Sequence, residues 1–106
     1  MLQKQIDIFL QVCELETQDC GFLGDVYKNG YGVERNFAQA VKYYKKACEL
    51  KDEYACFKLG NMYGKGEGVK QNKTIAKEYM HKACDLGHND ACGIYRWLDE
   101  NWWMTN

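Results

Sequence analysis

Residues 20–55, CGFLGDVYKNGYGVERNFAQAVKYYKKACELKDEYA, are followed directly by residues 56–91, CFKLGNMYGKGEGVKQNKTIAKEYMHKACDLGHNDA. The two stretches align without a gap and are identical at fifteen positions. A repeat of 36 residues is typical of a solenoid, in which successive units stack and bury a shared core. The sequence therefore predicts a repeat protein.

Each unit is predicted to form two antiparallel helices. The first helix is indicated by apolar or small residues at helical spacing, namely Cys20, Leu23, Gly24 and Tyr27. Gly30 is placed to end that helix in the left-handed conformation, and Asn36 is placed to cap the next one. The second helix repeats the pattern with Phe37, Ala40, Val41, Tyr44, Ala47 and Cys48. The fold class predicted is an all-α αα-hairpin solenoid.

Residues 23–48 and 59–84, LGDVYKNGYGVERNFAQAVKYYKKAC and LGNMYGKGEGVKQNKTIAKEYMHKAC, resemble Sel1-like repeats, which are relatives of the tetratricopeptide repeat. The paired cysteines of ACELKDEYAC and ACDLGHNDAC make the chain similar to the cysteine-rich Sel1-like proteins of the Helicobacter type. Lys73 and Lys77 depart from this pattern, since they replace Phe37 and Val41. The resemblance implies a right-handed superhelix whose concave face is lined by the first helix of each unit.

One domain, residues 1–106, is predicted to contain six helices. Residues 1–19 are expected to be an N-terminal half unit, 20–55 and 56–91 the two full repeats, and 92–106 a C-terminal capping helix. Trp102 and Trp103 are expected to close the end of the stack, as terminal repeats do. A tryptophan-rich contact with a partner is the other interpretation of these two residues.

The six cysteines form three pairs that bracket the turns between helix pairs: Cys13 with Cys20, Cys48 with Cys56, and Cys84 with Cys92. Such turns bring antiparallel helix ends close together, so the spacing favours three local disulfides. Buried thiols are the alternative. Disulfides would indicate an oxidising compartment, which means a periplasmic or secreted protein if a signal peptide was removed. The protein would be cytoplasmic if Met1 is the native start.

Several functional classes are disfavoured by composition. The net charge of −1 argues against nucleic-acid binding, and no apolar run is long enough for membrane insertion. The chain contains no serine, so it has no serine nucleophile, and we expect no enzyme activity and no cofactor. His81 and His88 lie near the third cysteine pair, but the other pairs have Lys45 and Asp52 instead. No metal site is therefore expected.

The exposed side of the first helices is the predicted functional surface. The residues expected to contact a partner are Phe22, Asp25, Val26, Lys58, Asn61, Met62, Lys65, Ile94, Trp97 and Leu98. They vary between units while the core positions repeat, and six of them are apolar, as an interaction patch requires. The sequence predicts a non-catalytic module, expected to be a monomer, that binds a protein or peptide.

Two other functions stay open at this stage. A small immunity or regulatory protein could neutralise a toxin by covering its surface. An activity on β-lactam or cell-wall substrates is implied only by the family resemblance, and the missing serine argues against it.

Overall fold

The computed structural model describes Cys13 and residues 18–101. These residues form five helices and no strand: α1 (Gln18–Asn29), α2 (Phe37–Glu49), α3 (Glu53–Lys65), α4 (Lys73–Asp85) and α5 (Asn89–Glu100). The predicted all-α repeat architecture is confirmed. The prediction of six helices counted one more in residues 1–19, where Cys13 is helical but most positions lie outside the described residues. The predicted roles of Trp102 and Trp103 lie outside them too.

Helix ends follow the predicted chemistry. The side chains of Asn36 and Asn72 accept hydrogen bonds from the amides of Gln39, at 3.1 Å, and Ile75, at 3.0 Å. Gly66 ends α3 in the left-handed conformation, and Gly30 has the same backbone geometry, with φ of +76° and +73°. A side chain at these angles would be strained. Each unit therefore contains the same combination of a glycine turn and an asparagine N-cap between its two helices.

The turns between units repeat their geometry with different residues. Asp52 caps α3 through its carboxylate, and His88, one repeat later, caps α5 by accepting from the Ala91 amide. Lys51 and Gly87 are likewise equivalent, and both have positive φ, 72° and 104°. The turn thus keeps its left-handed residue in the first unit although that residue is a lysine.

Two disulfides span these two turns and a third joins Cys13 to α1, so the predicted pairing is confirmed. The bridges join Cys13 to Cys20, Cys48 to Cys56, and Cys84 to Cys92, with Cα–Cα distances of 4.7, 4.8 and 4.6 Å. The first two bridges are buried, whereas both cysteines of the third are half-buried. Because a solenoid has mainly nearest-neighbour contacts, bridges across every described inter-unit turn stabilise the stacking.

Two residues of the predicted functional surface belong to the core instead. Val26 and Met62 are 3% and 0% exposed, so the expectation that a partner touches them directly was wrong. The reason is that a first helix has neighbours on more than one side. Helix α3 packs against α2, α4 and α1, and its apolar surface therefore extends further round the helix than a single amphipathic stripe. Met62 falls within that wider buried surface.

Candidate functional site

The side of the molecule formed by α1, α3 and α5, here called the first-helix face, carries two grooves that are lined by exposed aromatic residues. Groove one has a volume of about 500 Å³ and lies between α1 and the start of α3. Groove two has a volume of about 270 Å³ and lies between α3, α4 and α5. The grooves are built from successive repeat units, and their chemistry differs.

A carboxylate held by two tyrosines lies in groove one. The hydroxyl of Tyr44, from α2, donates to Asp25 Oδ1, and the hydroxyl of Tyr54, from α3, donates to the same oxygen at 3.2 Å. Three helices thus converge on one side chain. A carboxylate has about four acceptor sites, so two hydroxyl donors leave Asp25 able to bind a further donor.

Burial and the Asp25 charge keep both phenols protonated. Burial, followed by the hydrogen bond from Tyr44 to Asp25, raises the pKa of Tyr44 far above its ordinary value. Burial and the nearby negative charge of Asp25 raise the pKa of Tyr54 to about 12. Ionising either phenol would place a second negative charge beside the carboxylate. Both tyrosines therefore remain hydrogen-bond donors to Asp25 at neutral pH.

The walls of groove one combine acidic and aromatic groups. Asp52 and Glu53 add two carboxylates, and Lys51 is the only ammonium group among the described residues that line it. With Asp25, the formal charge of the lining is three negative and one positive. Phe22 and Tyr54 have exposed fractions of 44% and 39%. Groove one therefore presents aromatic surface in a negative environment.

Groove two is apolar in its floor and walls. Gly60, Ala76 and Met80 form the buried floor, and Ile94, Trp97 and Leu98 line the side contributed by α5. Trp97 is 52% exposed, although its ring is the largest apolar group in the groove. A groove with an apolar lining and a few polar groups at its edge is a common arrangement at binding sites.

Lysines stand at the edge of groove two. Lys65 and Lys73 are exposed and line it, whereas none of the described lining residues is acidic. The wall formed by α5 is fixed to α4 by an ion pair between Lys77 Nζ and Asp99 Oδ1, 2.8 Å apart. Groove two is therefore an apolar slot with a positive edge.

Most of the predicted contact residues do meet in these grooves. Phe22 and Asp25 line groove one, and Lys58 Nζ lies 5.2 Å from the ring centroid of Tyr54 beside it. The residues of groove two that the sequence predicted are Asn61, Lys65, Ile94, Trp97 and Leu98. Val26 and Met62 do not take part, because they are buried.

Sequence reasoning missed Tyr44, Tyr54, Lys73 and Met80 as site residues. Tyr44 and Met80 occupy the same repeat position, as do Tyr54 and Asp90. The difference in residue type at these repeat positions was the signal in the sequence that could have identified them as site residues. It was not recognised because the comparison between units was restricted to one side of the first helices, whereas second helices and turns also reach the grooves.

The described residues contain no candidate metal site and no candidate membrane-spanning helix. In residues 18–101 and at Cys13, no group of three or more His, Cys, Asp or Glu side chains is placed to hold a metal ion. Across the same residues, no helix has the length and apolar character needed to cross a bilayer.

Comparison with known proteins identifies relatives. A family model described as the Sel1 repeat matches residues 20–52 and 53–88. Among solved structures, cysteine rich protein B of Helicobacter pylori is similar with a TM-score of 0.83 and 42% identity, over 89% of this chain and 71% of that one. No curated protein sequence gives a significant match.

Two longer proteins share the fold over part of their length. A Sel1 repeat protein from Oxalobacter formigenes has a TM-score of 0.76 and 32% identity, over 78% of this chain and 34% of its own. A protective antigen of uropathogenic Escherichia coli strains, described as displaying an SLR fold, has a TM-score of 0.77 and 36% identity, over 81% of this chain and 19% of its own.

Proposed function

The chain belongs to the Sel1 repeat family, and on this premise we propose that it is a non-catalytic module that binds a polypeptide along the first-helix face. Members of this family commonly act as protein-interaction modules. Their stacked units present an extended surface, and a polypeptide can lie across several units of such a surface.

The observation that carries the proposal is the position of two exposed aromatic residues, Phe22 in α1 and Trp97 in α5. They are 44% and 52% exposed, and each lies in a different groove. Aromatic side chains in partly enclosed sites supply a large share of binding energy in protein interfaces. Phe22 lies on α1 and Trp97 on α5, with α3 between them on the first-helix face, and this separation favours a ligand that is extended enough to reach both grooves.

The same arrangement supports a binding role over catalysis. The acidic side chain at the centre of groove one, Asp25, accepts hydrogen bonds from two protonated phenols, and the described lining residues of either groove include no serine or cysteine nucleophile.

The three disulfides are compatible with an oxidising periplasmic or secreted location, where we place the protein. A toxin-neutralising protein would use the same face, and the identity of the partner separates the two roles.

The test begins with capture of partners from an extract of the native cells on the immobilised, oxidised protein. A captured polypeptide is then purified, and its affinity is measured by calorimetry. The double variant Phe22→Ala/Trp97→Ala should weaken binding at least about tenfold, because both anchors are removed. The matched control is Lys42→Ala/Lys82→Ala, which truncates two exposed side chains of the second helices. Equal affinity of the aromatic variant and the wild type, or no captured polypeptide, would overturn the proposal.

A further inference from the structure

The two grooves have opposite formal charge. Groove one is lined by three carboxylates and one ammonium group, which leaves a charge of −2. Groove two is lined by two ammonium groups and no carboxylate, which gives +2. The net charge of the whole chain is only −1. The first-helix face is therefore locally polarised although the protein is nearly neutral.

The difference between the grooves comes in part from substitutions between the two repeat units. Asp25 in groove one corresponds to Asn61 in groove two, so a carboxylate is replaced by a neutral amide. Tyr44, which donates to Asp25, corresponds to Met80, which lies in the floor of groove two. Phe37 corresponds to Lys73, whose ammonium group is at the edge of groove two. These substitutions, together with the different elements that line each groove, give an acidic, hydrogen-bonding site in groove one and an apolar site with a positive edge in groove two.

Groove one has the groups that would recognise a cation. Asp25 has acceptor capacity left after binding two phenols, and the exposed aromatic surface of Phe22 and Tyr54 lies beside it. Lys58 already takes up a position over the Tyr54 ring, 5.2 Å from its centroid. Cations are attracted to such ring faces and form charge-assisted hydrogen bonds with carboxylates. The chemistry fits a lysine or arginine side chain.

Groove two has the groups that would recognise a different side chain. Met80 and Ala76 offer an apolar floor, and Trp97 offers an exposed ring. Placing a basic residue there would desolvate its charge next to Lys65 and Lys73, which like-charge repulsion disfavours. An apolar side chain would pack on the floor of groove two, and an aspartate or glutamate next to it would pair with the lysines at the edge.

We propose that the partner segment has a fixed charge order: a lysine or arginine seated on Asp25 in groove one, and an apolar residue flanked by acidic residues in groove two. This inference rests on the proposed function, since it assumes that the ligand is a polypeptide. It adds which side chains the polypeptide carries and which groove takes each of them. Opposite charges at the two sites fix the register of the segment, because the reversed placement is repelled at both ends.

A random peptide library selected on the intact, oxidised protein tests the order. The wild type should enrich peptides in which a basic residue is separated from an apolar, acidic cluster. Asp25→Asn removes the charge but keeps an acceptor oxygen for the two phenols, so selection on this variant should lose the basic residue and keep the cluster. A wild-type peptide should bind Asp25→Asn about tenfold more weakly, the loss expected for a hydrogen bond to a charged group.

A second variant tests groove two independently of groove one. It also provides the test of the charge order if Asp25→Asn proves unstable in a thermal melt. Lys65→Glu/Lys73→Glu should exchange the acidic residues around the apolar position for basic ones. The control Lys42→Glu/Lys82→Glu makes the same change in net charge on exposed positions of the second helices, and it should select the same peptides as the wild type.

The outcomes separate the two proposals. Enriched peptides without a basic residue, or with one that survives Asp25→Asn, would overturn the charge order and leave polypeptide binding intact. A preference altered equally by the control variant would also overturn it, because the effect would then come from net charge. A library that yields no peptide above the bare support would contradict polypeptide binding itself.

Discussion

The hydroxyl of Tyr44 in α2 donates a hydrogen bond to Asp25 in α1, and the Tyr44 ring lies directly against Gly24. A Cβ atom at Gly24 would come within 2.4 Å of that ring, so the glycine is required for the approach. In the second unit, Gly60 meets the flexible side chain of Met80 in the same way. The repeated glycine therefore fixes how closely the helices pack, and the residue that faces it decides the chemistry of the groove.

Alkaline pH should destabilise the fold through Tyr44 and Tyr54. Both folded-state pKa values are raised above the ordinary value of 10.0, that of Tyr54 to about 12. Below pH 10 the phenols are neutral in the folded and unfolded states, so the stabilisation is fully present. Above pH 10 these two phenols ionise first in the unfolded chain, so the free energy of unfolding falls, by at most about 1.4 kcal/mol per pH unit from Tyr44.

Urea denaturation across this pH range measures the effect, and the Tyr44→Phe variant is the control. The variant should be less stable at neutral pH by about 1–2 kcal/mol, since it loses a hydrogen bond to a charged group. Its stability should also fall less steeply above pH 10. A wild-type stability that stays constant above pH 10 would contradict the hydrogen-bond network described here.

Truncation of Met62 should cost much more stability than truncation of Trp97. Met62 is fully buried, so Met62→Ala should lower the free energy of unfolding by about 2–5 kcal/mol. Trp97 is 52% exposed, so Trp97→Ala should cost about 1 kcal/mol or less. Equilibrium denaturation of the two variants gives the comparison. Similar costs for the two would show that the core and the binding face are assigned incorrectly.

The repeat pattern predicted the features that depend on local geometry. The helix hairpins, the asparagine caps, the glycine turns and the disulfide pairing all follow from spacing within 36 residues, and the family resemblance is confirmed. Features that depend on packing between units did not follow. Val26 and Met62 were assigned to the exposed side because a single helical stripe was assumed. In the structure α1, which carries Val26, packs against both α2 and α3, and α3, which carries Met62, packs against α1, α2 and α4.

The grooves could be predicted only in part for the same reason. Residues on the first helices were found, but Tyr54 reaches Asp25 from the start of α3, 29 positions away in sequence. Such a contact depends on how the units stack, and the period of a repeat does not contain that information.

Gly30 and Gly93 should differ in sign when replaced by alanine. Gly30 has a φ of +73°, so Gly30→Ala should destabilise the protein by about 1–2 kcal/mol. Gly93 is helical and exposed, and a Cβ there would meet nothing within 4 Å. Gly93→Ala should therefore stabilise the fold by about 0.5–1 kcal/mol. Thermal melts of the matched pair measure both effects, and a neutral Gly30→Ala would contradict the turn assignment.

The bridge between Cys84 and Cys92 should be reduced first. Both of its cysteines are half-buried, whereas those of the other two bridges are buried, and a reductant has to reach a sulfur atom to attack it. Limited reduction under native conditions, followed by alkylation and peptide mass spectrometry, identifies the order. Earlier labelling of Cys48 and Cys56 would show that access to sulfur does not control the reaction.

The central claim is that a polypeptide partner lies on the first-helix face. The most direct measurement is an NMR titration of the isotope-labelled, oxidised protein with a peptide selected as above, in which amide shifts map the contact. The account predicts that the largest changes cluster on α1, α3 and α5, around Phe22, Asp25 and Trp97, with smaller changes at exposed positions of α2 and α4. Shifts concentrated instead on exposed residues of α2 and α4, such as Lys42 and Lys82, would contradict it.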